Sequence, residues 1–319
     1  MIFVGFGFLM CFLKSHNWGS IGYNYLLACW AIQITILWNW FWNQVCLYYD
    51  TGSYTFTKLS LTTEVILQAE FGAASVLISM GAIVGKCSLF QLFGMCNINI
   101  FFYALNQAIC YKIFKCADIG GTMTIHAFGA YFGVITSWFY QPRQAIEDKK
   151  ELGGGNYLSD LVSMTGTLFL FVYWPSFNGG AASGSQQMRA VINTYLSLTS
   201  SVISSIIVSR LTKGRKLEME IILNASLAGG VVMGANADII ASAYGAMLAG
   251  FIAGTVSSLG YAFIGPFLTR KINLHDTCGV HNLHGMPAII GGLTSAMVIA
   301  RGLLNFGPSN YNTYFFTSL

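Results

Sequence analysis

The sequence predicts an all-α membrane protein, a polytopic helical bundle, on three observations. Only 9% of the 319 residues are charged and 55% are hydrophobic, whereas soluble domains carry roughly 25% charged residues. Glycine occurs 35 times and proline 5 times, a balance typical of transmembrane bundles, in which small residues let helix backbones approach closely. Long apolar runs recur without the alternating pattern of a membrane β-strand. Helices are then the spanning elements that satisfy the backbone.

About ten apolar runs of spanning or near-spanning length follow one another along the chain. They cover residues 1–13, 20–42, 63–85, 88–111, 119–140, 158–177, 190–210, 219–236, 240–265 and 283–303. The first run is short for a span, and no further apolar run follows residue 303. We therefore expect one transmembrane domain over residues 1–319 with truncated terminal helices. Glycine pairs four residues apart, such as Gly129/Gly133 and Gly250/Gly254, are predicted to be helix contacts.

Lysine and arginine are distributed unevenly between the two sides that these runs define. With residue 1 outside, the cytoplasmic side holds Lys14, Lys86, Arg143, Lys149, Lys150, Arg210, Lys213, Arg215, Lys216, Arg270 and Lys271, and the outside holds Lys58, Lys112, Lys115, Arg189 and Arg301. This excess follows the positive-inside rule and supports an external start. The net charge of +4 is modest, so nucleic acid is not an expected partner.

Two segments share the skeleton D-x-x-G-x-x-x-x-H, namely "DIGGTMTIH" from Asp118 to His126 and "DTCGVHNLH" from Asp276 to His284. The charge topology makes them enter the membrane from opposite faces, so they are predicted to be inverted repeats, an architecture common among transporters. We expect the two imidazoles to meet near the bilayer centre. The competing interpretation is a pair of histidines that only hydrogen-bond between helices.

Each residue of the skeleton has an expected role. Burial penalises the imidazolium form, so both histidines should be neutral, each offering one donor and one acceptor nitrogen to a small polar molecule. Asp118 and Asp276 are predicted to cap the helices that carry the histidines, and Asp118 could also attract a cation. Gly121 and Gly279 are expected at close backbone crossings.

The sequence supports two other kinds of site, a metal site and a hydrolase site, less well. His275, His281 and His284 cluster in the sequence, and His281-x-x-His284 has helical ligand spacing, but no cysteine or glutamate completes a zinc pattern. "SGSQQ" offers serines without the G-x-S-x-G turn of a hydrolase. We therefore predict no metal, no cofactor and no enzymatic activity.

At this point the sequence resembles the family of ammonium transporters, methylammonium permeases and Rh glycoproteins, and within it the Rh branch. The resemblance covers nearly the whole chain up to about residue 300. It is carried by "FVGFGFLM" at 3–10, "AEFGAASVLISMGAIVGK" at 69–86, "GGTMTIHAFGAYFG" at 120–133, "GTLFLFVYWPSFN" at 166–178, "NASLAGG" at 224–230 and "DTCGVHNLHGMPAIIGG" at 276–292.

The resemblance implies a fold of two inverted five-helix halves plus a closing helix, assembled as a trimer with one pore per subunit. It implies that His126 and His284 line the pore and that Phe71 and Phe177 form its external gate. The implied vestibule and supporting residues are Glu70, Asp118, Asp160, Asn178 and Asp276. By comparison with this family we expect the sequence to lack the closing helix, and Asn106-Gln107 stands where the Rh branch often has Asn-Glu.

The implied function is a channel in the plasma membrane that recruits ammonium and conducts neutral ammonia past the two histidines. Its implied partners are ammonia or ammonium, with methylamine or carbon dioxide as further candidates, the lipid bilayer, and either two copies of the same chain or other Rh proteins. A carbon dioxide channel, a membrane scaffold without transport, and a metal transporter that would need ligands beyond His281 and His284 are the alternatives left open.

Overall fold

A computed structural model describes residues 1–12, 17–53, 56–140, 155–214 and 216–316, with the side chains of 17–18 and 303–316 left out of the description. The loop cations Lys14, Arg143, Lys149, Lys150 and Arg215 lie outside the described residues. No β-strand occurs in the part described. The predicted all-α class is therefore confirmed.

The helices succeed one another in the order of the apolar runs. They are α1 Ile2–Leu9, α2 Asn17–Thr51, α3 Thr63–Ile83, α4 Leu89–Ala108, α5 Phe128–Phe139, α6 Tyr157–Gly179, α7 Gly184–Thr212, α8 Met219–Ala225, α9 Ala228–Met233, α10 Ala243–Leu259, α11 Gly265–Ile272 and α12 Met286–Phe316. Within the described ranges, six helical segments are long and apolar enough to cross a membrane: Gly19–Thr51, Thr63–Ile83, Leu89–Ile113, Gly184–Thr212, Ala243–Ile272 and His281–Gly302.

The sequence predicts one continuous span at residues 219–236, and this prediction is wrong. The structure divides it into α8 and α9, and the chain then turns until α10 begins at Ala243. The break has a packing reason, because a Cβ on Gly229 would lie 2.4 Å from the Ser197 carbonyl oxygen and one on Gly230 would lie 2.5 Å from the Trp174 indole. The chain bends there to bring bare backbone against α6 and α7.

The two halves of the chain repeat one packing pattern. In the first half α2 packs against α3 and α4, and α3 packs against α5; in the second half α7 packs against α9 and α10, and α9 packs against α12. Contacts between α1 and α6 join the halves. Gly250 and Gly254 of α10 approach α7 closely, since a Cβ at Gly250 would lie 2.1 Å from the Ser197 carbonyl oxygen, which confirms the predicted role of this pair as a helix contact.

Each half also contains two π-helical turns at matching places. Helix α4 ends in the turn Ile109–Ile113, and α10 passes into α11 through the turn Gly260–Ile264. Helix α5 is preceded by the turn Thr122–Ala127, and α12 by the turn His281–Gly285. Such turns are rare and concentrate at functional sites, and here the second turn of each half carries a histidine of the repeated motif.

Candidate functional site

The first motif forms a tight loop that feeds the π turn before α5. Gly121 has a φ of +74°, a left-handed conformation that glycine adopts without steric cost. The Oδ2 atom of Asp118 accepts hydrogen bonds from the backbone N–H groups of Met123 at 3.0 Å and Thr124 at 2.8 Å, and from the Thr124 hydroxyl at 2.9 Å. Burial raises the pKa of the Asp118 carboxyl to about 6, while the bonds from Thr124 and Met123 act in the opposite direction.

The second motif repeats this loop with fewer bonds. Gly279 has a φ of +70°, and Oδ2 of Asp276 accepts one hydrogen bond, from the His281 backbone N–H at 2.8 Å. A tyrosine from the neighbouring π turn braces each loop. The Tyr111 hydroxyl donates to the Asp118 carbonyl at 2.8 Å, and the Tyr261 hydroxyl lies 2.9 Å from the Cys278 carbonyl and 3.0 Å from that of Gly279.

The sequence predicts close backbone crossings at Gly121 and Gly279, and the position of this prediction is wrong. The atoms nearest to a Cβ at these glycines belong to the side chains of Ile125 and Tyr261, so their left-handed φ is what requires glycine. The crossing occurs one residue earlier in the first motif, at Gly120. There the Gly120 N–H donates to the Gly234 carbonyl at 2.7 Å, and a Cβ would lie 2.9 Å from the Gly234 Cα.

The two motif histidines meet in the interior. Their Nδ1 atoms are 3.2 Å apart, and their rings are stacked with centroids 5.2 Å apart and planes 6° from parallel. His126 is fully buried and His284 is 3% exposed. In this hydrogen bond one Nδ1 donates and the other accepts, which requires two different tautomers when both rings are neutral. The Nε2 atom of His126 is buried with no hydrogen-bond partner among the described residues.

Aromatic rings continue this pair in both directions. Phe71 and Phe177 lie with ring centroids 4.8 Å apart, the Phe177 ring is 6.0 Å from that of His126, and the Phe6 ring is 6.1 Å from that of His284. We call the sequence Phe71, Phe177, His126, His284 and Phe6 the ring file. Three helices and the two π turns supply it, so it exists only in the assembled bundle.

Sequence reasoning missed two neighbours of the histidines. Trp174 stacks on His126 with centroids 5.6 Å apart and planes 25° from parallel, and Phe6 lies against His284. Trp174 precedes Phe177 by three residues on α6, and residues at this spacing share a helix face. That spacing was the available signal for Trp174. Phe6 had no such signal, because α1 is apolar on every face and no periodic pattern distinguishes one of its residues.

A small cavity adjoins the second histidine. It has a volume of about 20 Å³ and is lined by His284 together with Phe6, Met10, Leu77 and Asn224, among other mainly apolar residues. A cavity needs roughly 10–15 Å³ to hold one water molecule. The space beside His284 therefore fits one guest of about that size.

The other predicted residues are placed apart from the rings. Asn178 is fully buried, and its amide nitrogen donates to the Thr194 hydroxyl at 3.1 Å and the Gly230 carbonyl at 3.0 Å, so it braces α6 against α7 and α9. Glu70 and Asp160 are half-buried, and within the described part of the chain no hydrogen bond or ring contact joins them to the ring file. Gln107 donates to the Gln68 amide oxygen at 2.6 Å.

The clustered histidines do not converge on a metal. Among the residues that the structure describes, no three His, Cys, Asp or Glu side chains are grouped to hold an ion. The His281 ring packs on Tyr131 with centroids 5.8 Å apart, and His284 is engaged with His126. The carbonyl oxygen of His275 accepts hydrogen bonds from the Ser137 hydroxyl and the Lys86 ammonium group.

Comparison with solved structures places this geometry in a known fold. The chain is similar to Rh50 of Nitrosomonas europaea, a member of the Rhesus protein family of channels, with a TM-score of 0.79 and 30% identity over 93% of this chain and 76% of that one. Mep2 of Saccharomyces cerevisiae shares the fold with a TM-score of 0.72 at 17% identity, over 92% of this chain and 71% of that one.

Comparison of sequences gives the same relationship. The chain is 45% identical over 304 residues to an ammonium transporter Rh type C from Xenopus tropicalis and 44% identical over 301 residues to an ammonium transporter Rh type B from Bos taurus. These alignments cover 94% and 93% of this chain but only 62% and 64% of the two relatives, so the chain spans about three fifths of their length. A model of the Ammonium Transporter Family matches residues 1–318. This multi-pass membrane protein therefore belongs to the ammonium transporter family.

Proposed function

We propose that this chain is a channel for ammonia whose conduction path follows the ring file. Ammonium is recruited at mouths that carry Glu70 and Asp160 and, near Phe71 and Phe177, gives its proton to solvent water outside the gate. Neutral ammonia then passes His126 and His284. The observation that carries this proposal is the buried imidazole pair, 3.2 Å between Nδ1 atoms, with a cavity of about 20 Å³ beside it.

The free energy of transfer into an apolar interior decides whether ammonium or ammonia can pass. Moving an unpaired small cation into an apolar interior costs tens of kcal/mol by a Born estimate, whereas a neutral polar molecule costs only about 2–7 kcal/mol. The groups that surround the histidines are aromatic and aliphatic, and Asp118 is committed to bracing its own loop. A path with these walls rejects ammonium and admits ammonia.

The histidines lower the remaining cost for the neutral guest. A neutral imidazole has a donor and an acceptor nitrogen, and ammonia can use both kinds of partner. The unpartnered Nε2 of His126 is one such group, and His284 faces the small cavity. Two rings in series would let the guest exchange one partner for the next without a fully unbonded state.

The test is methylamine-driven pH change in vesicles or cells that express the chain, with surface expression measured in parallel. His126→Ala and His284→Leu should each lower the flux at least about tenfold, because a barrier increase of roughly 1.4 kcal/mol gives that factor. His281→Gln serves as the matched control, since this half-buried ring lies outside the ring file. Unaltered flux in either ring-file variant at normal expression would contradict the proposal.

The gate is tested separately. Phe177→Ala removes the ring that contacts both Phe71 and His126 and should change the ratio of ammonia to methylamine flux. Phe90→Ala is the control, because this side chain is 89% exposed. Equal ratios in wild type and Phe177→Ala would remove the gate from the mechanism. The same vesicles, acidified by carbon dioxide in a stopped-flow instrument, would show whether that gas shares the path.

The family relationship also supports a plasma-membrane location and assembly as a homotrimer, or with other Rh proteins. Chemical cross-linking in intact membranes should give a band at three times the mass of one chain. A monomer band alone after efficient cross-linking would contradict this assembly.

A further inference from the structure

Two cysteines meet at the loop that leads into the first motif. Cys110 lies in the π turn Ile109–Ile113 at the end of α4, and Cys116 lies two residues before Asp118. Both side chains are half-buried, and a hydrogen bond links the two thiols. Neither cysteine belongs to the ring file or to the D-x-x-G-x-x-x-x-H motif, so the proposed conduction path gives this contact no task.

The backbone between the two cysteines folds back tightly. Lys115 has a φ of +53°, a left-handed conformation that is uncommon outside glycine and that ends many helices. This reversal lets the Cys116 N–H donate to the Cys110 carbonyl at 2.9 Å. Residues joined by backbone hydrogen bonds in paired strands have Cα atoms roughly 5.5 Å apart, and a disulfide spans about 4.4–6.8 Å. The two cysteines therefore lie at a spacing that a disulfide can bridge.

The contact also has a purely structural interpretation. An apolar contact between the residue after a left-handed helix end and the preceding turn is frequent, and two aliphatic side chains would make it equally well. The Cys110 S–H donates to the Asn106 amide oxygen at 3.7 Å, so the lone pairs of this sulfur, rather than its hydrogen, are available to Cys116. Two sulfur atoms in contact can undergo a reaction that aliphatic residues cannot.

The fold itself does not require the pair. In the second half the π turn Gly260–Ile264 has Gly260 before Tyr261, where the first half has Cys110 before Tyr111. The tyrosine hydroxyl braces its loop carbonyl in both halves. The two cysteines are therefore an addition to the repeated element in its first copy.

The charge topology places this loop in an oxidising environment. Lys112 and Lys115 fall on the external side when the chain starts outside, and disulfides form and persist outside the reducing cytosol. Cys110 lies at the end of the span Leu89–Ile113, and Cys116 follows that span, so Cys116 is the thiol that an oxidant meets first. Both lysines are exposed, and they attract an oxidant that carries negative charge.

We infer that Cys110 and Cys116 are a redox-active pair that closes to an intramolecular disulfide. The oxidant is a small external disulfide such as glutathione disulfide. The Cys116 thiolate attacks one sulfur of this oxidant, the S–S bond of the oxidant breaks, and one glutathione thiolate leaves a mixed disulfide behind. The Cys110 thiolate then attacks Sγ of Cys116 and expels the second glutathione. Two electrons pass to glutathione disulfide, and the two cysteine protons end on the two glutathione thiols.

The bond would tie together the two elements that hold the Asp118 loop. Tyr111, next to Cys110, donates its hydroxyl to the Asp118 carbonyl at 2.8 Å, and Cys116 lies on the loop itself. A covalent ring over residues 110–116 restricts the opening of this loop. The inference does not depend on what the ring file conducts, since the bond is detected by mass.

Mass spectrometry of the full chain tests the pair. The purified chain in nanodiscs is incubated with glutathione disulfide or with dithiothreitol, then denatured in iodoacetamide without reductant. Trypsin cuts after Lys112 and Lys115 and so separates Cys110 from Cys116, which leaves a disulfide visible as two linked peptides. The ratio of linked to unlinked peptide should be at least about tenfold higher in the oxidised sample, since about 30 mV of potential already gives a tenfold change.

Fragmentation of the linked peptides identifies the bonded cysteines in the wild-type chain, and two variants check the assignment. Cys110→Ser should abolish the linked pair. Cys87→Ser is the matched control and should leave it, because Cys87 lies on the same tryptic peptide but at the opposite end of α4. Free, alkylated thiols at both positions after oxidation, a glutathione adduct that stays on Cys116, or a linked pair that survives in Cys110→Ser would overturn the inference.

Discussion

The two D-x-x-G-x-x-x-x-H segments share a backbone conformation but differ in how completely their carboxylates are used. Asp118 is 3% exposed and accepts three hydrogen bonds through Oδ2, whereas Asp276 is half-buried, accepts one, and borders a cavity. The difference depends on the sixth residue after the aspartate. Thr124 donates its hydroxyl to Asp118, and Asn282, at the equivalent place, leaves its amide oxygen without a donor among the described residues.

The repeated motif thus retains one structural task in both copies although the two carboxylates accept different numbers of hydrogen bonds. Both copies orient a histidine toward the same point, because both have the left-handed glycine, the π turn and the tyrosine brace. The first copy is closed by contacts with the second half, including the Thr122 hydroxyl on the Val231 carbonyl at 2.6 Å. Val280 is the equivalent of Thr122 and cannot make such a bond.

The largest expected difference concerns the two aspartates. Asp118→Ala removes the acceptor of three buried donors, each of which costs about 1–3 kcal/mol when left unpaired. It should lower the free energy of unfolding by about 3 kcal/mol or more, whereas Asp276→Ala, with one bond lost, should lower it by about 1 kcal/mol. Thermal unfolding in detergent measures both. Equal losses would show that the two loops are equivalent after all.

An exchange of the sixth residue tests the origin of the difference. Asn282→Thr places a hydroxyl where Thr124 has one, and this hydroxyl can donate to Asp276. We expect a gain of about 1 kcal/mol in unfolding free energy. In the first motif, Thr124→Val keeps the shape of the side chain but removes its hydroxyl, and it should cost about 1–2 kcal/mol of unfolding free energy. A destabilised Asn282→Thr protein would show that Asn282 has a bracing role of its own.

The smallest expected effect concerns the tyrosine braces. Tyr111→Phe and Tyr261→Phe each remove a hydroxyl that donates to a loop carbonyl, and each should cost about 1 kcal/mol. Because the two braces serve matching loops, the two losses should agree to within about 0.5 kcal/mol. Hydrogen exchange at the two loops measures them separately. A much larger loss at Tyr261 would indicate that the second loop relies on its tyrosine to compensate for the two hydrogen bonds that Asp276 lacks relative to Asp118.

Much of the site could be predicted from sequence because its signals are local. The glycine and aspartate of each motif act within six residues, and the motif spacing alone placed each histidine in the first turns of a helix. The contact between His126 and His284 was also foreseen, since inverted copies of one element place equivalent residues near a common centre. Trp174 and Phe6, by contrast, touch the histidines from distant helices, and no local pattern marks Phe6.

The sequence by itself determined that this chain spans a membrane as helices, where most of those helices lie, and that one loop is used twice. These properties follow from composition, apolar length and the conformational needs of glycine, which depend only on neighbours along the chain. The tertiary structure alone decided that residues 219–236 break into α8 and α9, that the close backbone crossing occurs at Gly120, and that Asp118 is sealed while Asp276 borders a cavity. Each of these depends on atoms from helices far apart in sequence, and packing between them is decided only when the whole bundle has assembled.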